Sequence, residues 1–291
     1  MEQFKIDSYP KKQRSDEIIL RDRGKIYLIN IENLDKTPFQ QHLHDVSIFA
    51  QMCALTYVEE SDESPNSARR LAEDIVSWES AIQYAGWEKL CWEAPKPASG
   101  YNLRTLKYEI WIDESNKRAA LVFRGTAKLA DWWSNAHWIT GYVPKVNNHY
   151  KLVSAMVDET IAKLISVLGN EFTLYTTGHS LGGGLAQLFA YSSKHKAEFV
   201  CAFHTTPVTG YFGVDINLRN KSRNGLYIAR VFEHGEVLAY FRLLMRKFYK
   251  VSTENPRIAE FRTNFIKESG LITQHSIALF ANEYRKLSRN E

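Results

Sequence analysis

Phe172-Thr173-Leu174-Tyr175-Thr176-Thr177-Gly178-His179-Ser180-Leu181-Gly182 is the stretch on which the fold turns. Its first six residues are apolar, aromatic or β-branched, the composition of a strand. The residues that follow, Gly183-Gly184-Leu185-Ala186-Gln187-Leu188-Phe189-Ala190, read as a buried helix with small side chains where it crosses a sheet. Between the two lies G-x-S-x-G, with Ser180 at its centre. The pattern has a mechanical reason. A serine at a sharp strand-to-helix turn projects its hydroxyl out of the backbone, and the flanking glycines let strand and helix approach. The Leu181 N–H, at the start of the helix, then faces the place where an oxyanion would develop. The bland reading is a glycine-rich helix start with a capping serine; the strand before and the buried helix after favour the reactive turn.

Working outward, the same alternation of strand and helix continues. Leu106, Tyr108, Ile110 and Ile112 alternate with other residues, Asp113-Glu114-Ser115-Asn116 is turn-like, and Ala119 to Phe123 is fully apolar, so the pair reads as a hairpin. A long helix is expected over about Tyr150 to Leu168, and further strands at Glu198 to Phe203 and Leu226 to Phe232. Strands alternating with helices imply a mostly parallel sheet with crossover helices. Upstream, Lys25 to Ile31 reads as a short strand, and His44 to Tyr57 and Ala68 to Tyr84 carry apolar residues at helical spacing. Residues from Met1 to about Arg23 read as a loosely attached start. Pro95 to Gly100 is the best linker, which divides the chain into an N-terminal helical addition (1–100) and a core (101–291).

Composition narrows the function. The 291 residues are 44% hydrophobic, enough for a sizeable core. A net charge of +4, from 37 basic and 33 acidic residues, is too mild to argue for nucleic acid. Cys53, Cys91 and Cys201 are odd in number and widely spaced, with no metal-ligand spacing, and read as reduced, buried thiols. The first residues show no apolar signal segment and no run is long enough to span a membrane. A cytoplasmic location is the default expectation, with export by a signal-independent route as the alternative.

A second constellation supports the first. Phe123-Arg124-Gly125-Thr126 ends a strand, and the Thr126 backbone N–H is placed to be a second oxyanion donor beside that of Leu181. One such donor contributes on the order of 3 kcal/mol to a transition state. Alone, the same four residues are a plain strand-end turn with Gly125 there for its conformation.

Val122 to Thr126 followed by Asp131-Trp132, then Thr177 to Ala186, then the P-x-x-G of Pro207 to Gly210, resembles the class 3 (fungal-type) lipase family of α/β-hydrolases. The resemblance covers roughly residues 103 to 280; the first hundred residues add little to it. It implies an α/β-hydrolase fold and metal-free, cofactor-free hydrolysis of a lipid carboxylic ester through an acyl-enzyme on Ser180. It also places Trp132 and Trp133, in the Trp-rich run Asp131 to Val143, at or near a lid over the substrate, and Asn135 against Thr126. A core helix with buried indoles is the alternative for that run. Basic and apolar residues interleave from Phe241 to Lys250, either a peripheral membrane contact or, the favoured reading, a short amphipathic helix packed on the domain with its lysines solvated; Arg242, Arg246, Lys247 and Lys250 are alternatively candidates for a phospholipid headgroup.

A reactive serine needs a general base and a carboxylate that orients it. In α/β-hydrolases the order is serine, acid, histidine. Of the nine histidines, order and position leave His234 and His275. His275 precedes the apolar helix Ser276 to Tyr284, where the resembling family places its histidine. Glu236, followed by Val237 and Leu238, occupies the place of the family's aspartate with one more methylene; Glu233 and Asp215 are the alternatives. Two rival functions stay open: an esterase or thioesterase for a soluble acyl substrate, and a non-catalytic binding module on the same fold.

Overall fold

The computed structural model describes residues 5–7, 13–31, 40–58, 65–94, 106–125, 144–239, 242, 251–266, 270 and 273–289. Among these, ten strands form one sheet. Its centre is parallel: β6 (Arg118–Phe123), β7 (Thr173–His179), β8 (Ala197–Phe203), β9 (Tyr227–Glu233) and β10 (Arg257–Thr263) lie side by side in that order. Beyond β6, the strands β5 (Tyr108–Asp113) and β4 (Glu88–Lys89) pair antiparallel. At the other edge β2 (Glu17–Asp22) runs antiparallel to β10, followed by β3 (Lys25–Asn30) and β1 (Lys5–Ile6).

The central strands are apolar on both faces because both faces are covered. Side chains along a strand alternate between faces. In β6, Ala120 and Val122 join a core with α1 (Gln40–Leu55), α2 (Pro65–Tyr84) and α6 (Ile277–Arg289). Ala119, Leu121 and Phe123 point to the opposite core with α3 (Pro144–Leu168) and α4 (Leu181–Ser192). A short helix, α5 (Ile216–Ser222), packs on α4. Helix α4 is buried along nearly its whole length, from Leu181 to Tyr191, which explains why its sequence lacks a polar face. This is the α/β-hydrolase fold: a mostly parallel sheet flanked by helices, with the serine at a strand-to-helix turn in mid-sheet.

Two expectations change. Residues 13–22 are not a loose start: β2 is built on Ile18, Ile19 and Leu20, all at most 4% exposed. Its flanking charge Asp22 is held by Arg257 (Nε to Oδ1, 3.1 Å), 235 residues away, and Glu260 of β10 lies 3.7 Å from Arg21. Charges at both strands hide them in a local reading and are matched only across the sheet. The first hundred residues therefore contribute strands to both edges of the sheet as well as two helices, and they are more than the expected helical addition. The cysteines also divide. Cys53 and Cys201 are buried free thiols, the former pushed up to about 12 by burial, but Cys91 is exposed. Among the described residues no helix is long and apolar enough to cross a membrane.

Candidate active site

The turn at Ser180 is built from backbone. Ser180 has φ 58° and ψ −121°, a conformation that costs a non-glycine residue energy and that clusters at functional sites. Its N–H donates to the Phe203 carbonyl (2.9 Å), and its carbonyl accepts from Gly183 N–H (3.1 Å) and Thr206 N–H (3.3 Å). The glycines are there for contact. A Cβ on Gly182 would lie 2.0 Å from the Phe123 carbonyl oxygen, and one on Gly178 would lie 2.4 Å from the Gly182 carbonyl. Ser180 is 2% exposed, and its side chain makes no capping hydrogen bond to the helix. Leu181 opens α4, so its N–H belongs to the first turn, where amides have no partner within the helix.

His275 ends a 3-10 turn, Thr273–His275, just before α6, and is buried beside the serine turn. Its ring centroid is 4.7 Å from that of His179, and its backbone carbonyl is 2.9 Å from His179 Nε2. Its Nδ1 lies 2.7 Å from Glu236 Oε2, and its Nε2 has no hydrogen-bond partner among the described residues. Burial opposes ionisation of Glu236. The Arg242 guanidinium, the His275 hydrogen bond and the Leu238 N–H together outweigh it and hold the carboxyl below its ordinary range. An ionised carboxylate only accepts, so His275 Nδ1 donates to it, and in the neutral imidazole Nε2 is then the acceptor. That is the tautomer a general base needs. His234, the other candidate base, has no such pairing with Glu236; burial lowers its basicity.

The three candidate acids are now distinct. Asp215 caps α5, accepting from Asn217 N–H and Leu218 N–H at 3.0 Å each. Glu233 is buried but turned the other way, accepting from Thr263 Oγ1 (2.7 Å) and Ile266 N–H (3.0 Å). Burial dominates there and pushes its carboxyl up to about 7. Of the three, Glu236 is the one the structure brings to His275.

His179 links the serine turn to its surroundings. Its Nε2 faces a carbonyl and must donate, so its Nδ1 is an acceptor. The Tyr57 hydroxyl, 3.0 Å from Nδ1, therefore donates to it, and also accepts from Gly125 N–H at 2.9 Å. A chain runs from Gly125 through Tyr57 and His179 to the His275 backbone. Burial, with His275 nearby, keeps His179 well below the usual imidazole range, and burial does the same to His204. The three imidazoles of His179, His204 and His275 offer atoms within 4.8 Å of one another. Both nitrogens of His179 are committed, so a metal would displace one of its hydrogen bonds.

Tyr57, and the pairing of Arg242 with Glu236, are additions to the site read from sequence. Tyr57 sits 68 residues before Gly125 and nothing local marks it. Arg242 stands in a basic-apolar run that reads as membrane-facing, headgroup-binding or packed on the domain, and it is buried on Glu236. Thr126, Trp132, Trp133 and Asn135 lie outside the described residues.

A family model described as "Phospholipase-like: Tle-like phospholipase domain" matches residues 49–202, more than half of the chain. No curated protein matches it. Among solved structures, lipase II from Rhizopus niveus is similar at 13% identity and a TM-score of 0.49, covering 80% of this chain and 93% of that one. The native Rhizomucor miehei lipase propeptide complex is similar at 15% identity and 0.46, covering 84% and 79%. A deletion mutant of that complex gives 15% and 0.46, with 69% of this chain spanning 62% of that one. The family match crosses the expected boundary at residue 100 and contains the serine turn, and by it the chain belongs to the Tle-like phospholipase domain family of lipid ester hydrolases.

Proposed function

We propose that this chain hydrolyses a carboxylic ester of a phospholipid or related acyl lipid through an acyl-enzyme on Ser180. The observation that carries the reading is the 2.7 Å pairing of His275 Nδ1 with Glu236, which leaves Nε2 bare among the described residues beside the serine turn. Ser180 Oγ attacks the acyl carbonyl carbon as its proton passes to His275 Nε2. Glu236 holds the imidazole and stabilises the imidazolium. The Leu181 N–H, and in this reading that of Thr126, hold the oxyanion. Collapse breaks the bond to the alcohol oxygen, which takes the proton from His275 and leaves. Water then attacks the acyl-enzyme with His275 again as base, releasing the fatty acid. No step calls for a metal or cofactor. Trp132 and Trp133 are proposed to touch the acyl chain, and lipid to be met at a membrane surface. The phospholipid preference leans on the family description.

The test is fatty-acid release from phospholipid vesicles, a triacylglycerol emulsion and a soluble short-chain ester, by wild type and Ser180→Ala. Release from vesicles should fall by at least about 10³-fold in the variant. Ser180-dependent activity on the soluble ester alone would replace the lipid reading with an esterase. Equal activity in wild type and variant would overturn the acyl-enzyme.

A further inference from the structure

We infer that Arg242 is a positioning residue for the acid of this site: it keeps Glu236 ionised and aimed at His275, and so extends catalysis to lower pH. The inference rests on the Ser180–His275–Glu236 reading and adds to it a fourth group that does not touch the substrate.

The geometry is specific. Arg242 is 6% exposed although it lies in a run rich in cations. One terminal nitrogen donates to Glu236 Oε1, and the other donates to the Thr205 carbonyl at 3.0 Å. The guanidinium lies over the Phe232 ring, with Cζ 4.3 Å from its centroid. The two oxygens of Glu236 are thus divided. Oε1 takes the arginine, while Oε2 takes His275 Nδ1 at 2.7 Å and Leu238 N–H at 2.9 Å. Thr205 sits against the helix that starts at the serine turn, since a Cβ on Gly183 would lie 2.7 Å from its Oγ1. Arg242 therefore ties the acid-bearing turn after β9 to the ground under the nucleophile.

The chemistry explains why such a strut is charged. Glu236 is fully buried, and an unpaired carboxylate there would take up a proton. A protonated Glu236 would no longer be an obligate acceptor, and the tautomer of His275 would no longer be set. Glutamate reaches one methylene further than aspartate, and an arginine fork, planar and always charged, suits its second oxygen. Arg242 also balances charge. Arginine and glutamate cancel at rest, so the site does not hold a net anion that would favour a premature imidazolium.

Among the described residues, the charged and titratable groups facing this centre are few. Glu236 meets Arg242 and His275. His275 meets Glu236, and the rings of His179 and His204 lie together beside it, their centroids 4.7 and 5.2 Å from its own and 5.4 Å from each other. Glu233 is turned toward Thr263 and Ile266. Removing the cation leaves either an uncompensated carboxylate against His275 or a carboxylate that protonates more readily. Both move the acid limb of kcat/KM in the same direction, to higher pH.

The experiment starts with fluorophosphonate labelling of wild type, with Ser180→Ala as control, and then follows kcat/KM against pH for wild type, Arg242→Gln and Arg242→Lys. Arg242→Gln should move the acid limb up by at least about one pH unit, with a smaller loss on the alkaline plateau. Arg242→Lys should hold the limb near wild type and lose rate only through geometry. Absence of Ser180 labelling, with activity retained in Ser180→Ala, would remove the catalytic reading and the inference with it. Labelling with an unmoved acid limb, and Arg242→Lys no better than Arg242→Gln, would overturn the role of Arg242 alone. Should Arg242→Gln fail to fold, Arg242→Lys and the pH dependence of the His275 Nδ1–H NMR resonance decide. A resonance that persists to equally low pH in wild type and Arg242→Lys supports the inference. Its loss at higher pH in the lysine variant, where the cation is kept, counts against it.

Discussion

The turn after β7 and the turn after β9 each deliver one member of the site, and they are made differently. The first is held by backbone: Ser180 exchanges hydrogen bonds with Phe203, Gly183 and Thr206, and its glycines are pressed against carbonyls. The second is held by side-chain charge. Two buried glutamates, three residues apart, meet opposite fates: Glu236 is ionised by Arg242 and His275, whereas Glu233 faces a hydroxyl and an amide and is raised to about 7. Burial is common to both. What separates them is a cation, so the charge of a buried carboxylate is set by its partners and not by its depth.

Neutralising each glutamate in turn should separate the two most widely. Glu236→Gln should lower kcat by about 10³- to 10⁴-fold, since an amide does not hold the imidazole tautomer. Glu233→Gln should leave kcat near wild type. Steady-state kinetics on a Ser180-dependent substrate separates the two, and similar losses in both would erase the distinction drawn here.

The backbone character of the first turn predicts the next largest effect. Gly182→Ala puts a methyl group 2.0 Å from the Phe123 carbonyl oxygen and should cost at least about 3 kcal/mol in urea unfolding, or prevent folding. Gly213→Ala, where nothing lies within 4 Å, should stay within about 0.5 kcal/mol.

Glu233 also carries a pH signature with a definite sign. Its carboxyl is raised from 4.5 to about 7 in the fold, so the folded state holds a proton that the unfolded chain has lost between those values. Stability contributed by the protonated form is present below about 4.5 and is lost as pH rises through about 7. Glu233→Gln, which mimics the protonated acid, should gain about 3 kcal/mol relative to wild type at about pH 8 and less than about 1 kcal/mol at about pH 5. Denaturant melts at the two pH values measure the difference; a variant no more stable at the higher pH would refute it.

The smallest effect tests the bridge between the N-terminal helices and the site. Tyr57→Phe removes the donor to His179 Nδ1 and the acceptor of Gly125 N–H. The loss should be about 2 kcal/mol of stability in the same denaturant melts, since two buried polar groups lose a partner.

How much of this is legible in the chain depends on distance along it. The hairpin of β5 and β6, the strands β7, β8 and β9 and the helices α1 to α4 all lie where the sequence pattern places them, although α1 and α3 start earlier than expected, at Gln40 and Pro144. The strands β2 and β10 escape a local reading, because Arg21 and Glu260 interrupt their apolar pattern, Asp22 and Arg257 flank it, and these charges find counterparts across the sheet. Glu236 is the first choice in sequence over Glu233 and Asp215, and the fold shows that it is the one facing His275. Arg242 reads in sequence as a candidate headgroup cation, since a cation among apolar residues looks alike whether it meets a lipid phosphate or a buried carboxylate.

The chain's local order therefore carries the α/β-hydrolase core and the strand-to-helix turn at Ser180. Glycine spacing, strand composition and the helix start act between neighbours, and a chain carries that information locally. What only the tertiary structure decided is the partnership around the serine: which glutamate meets His275, what Arg242 pairs with, and that Tyr57 reaches His179 across 122 residues. Those are matters of charge and hydrogen bonding among buried groups. Their energies depend on the three-dimensional surroundings that replace water, and the order of residues does not state what those surroundings are.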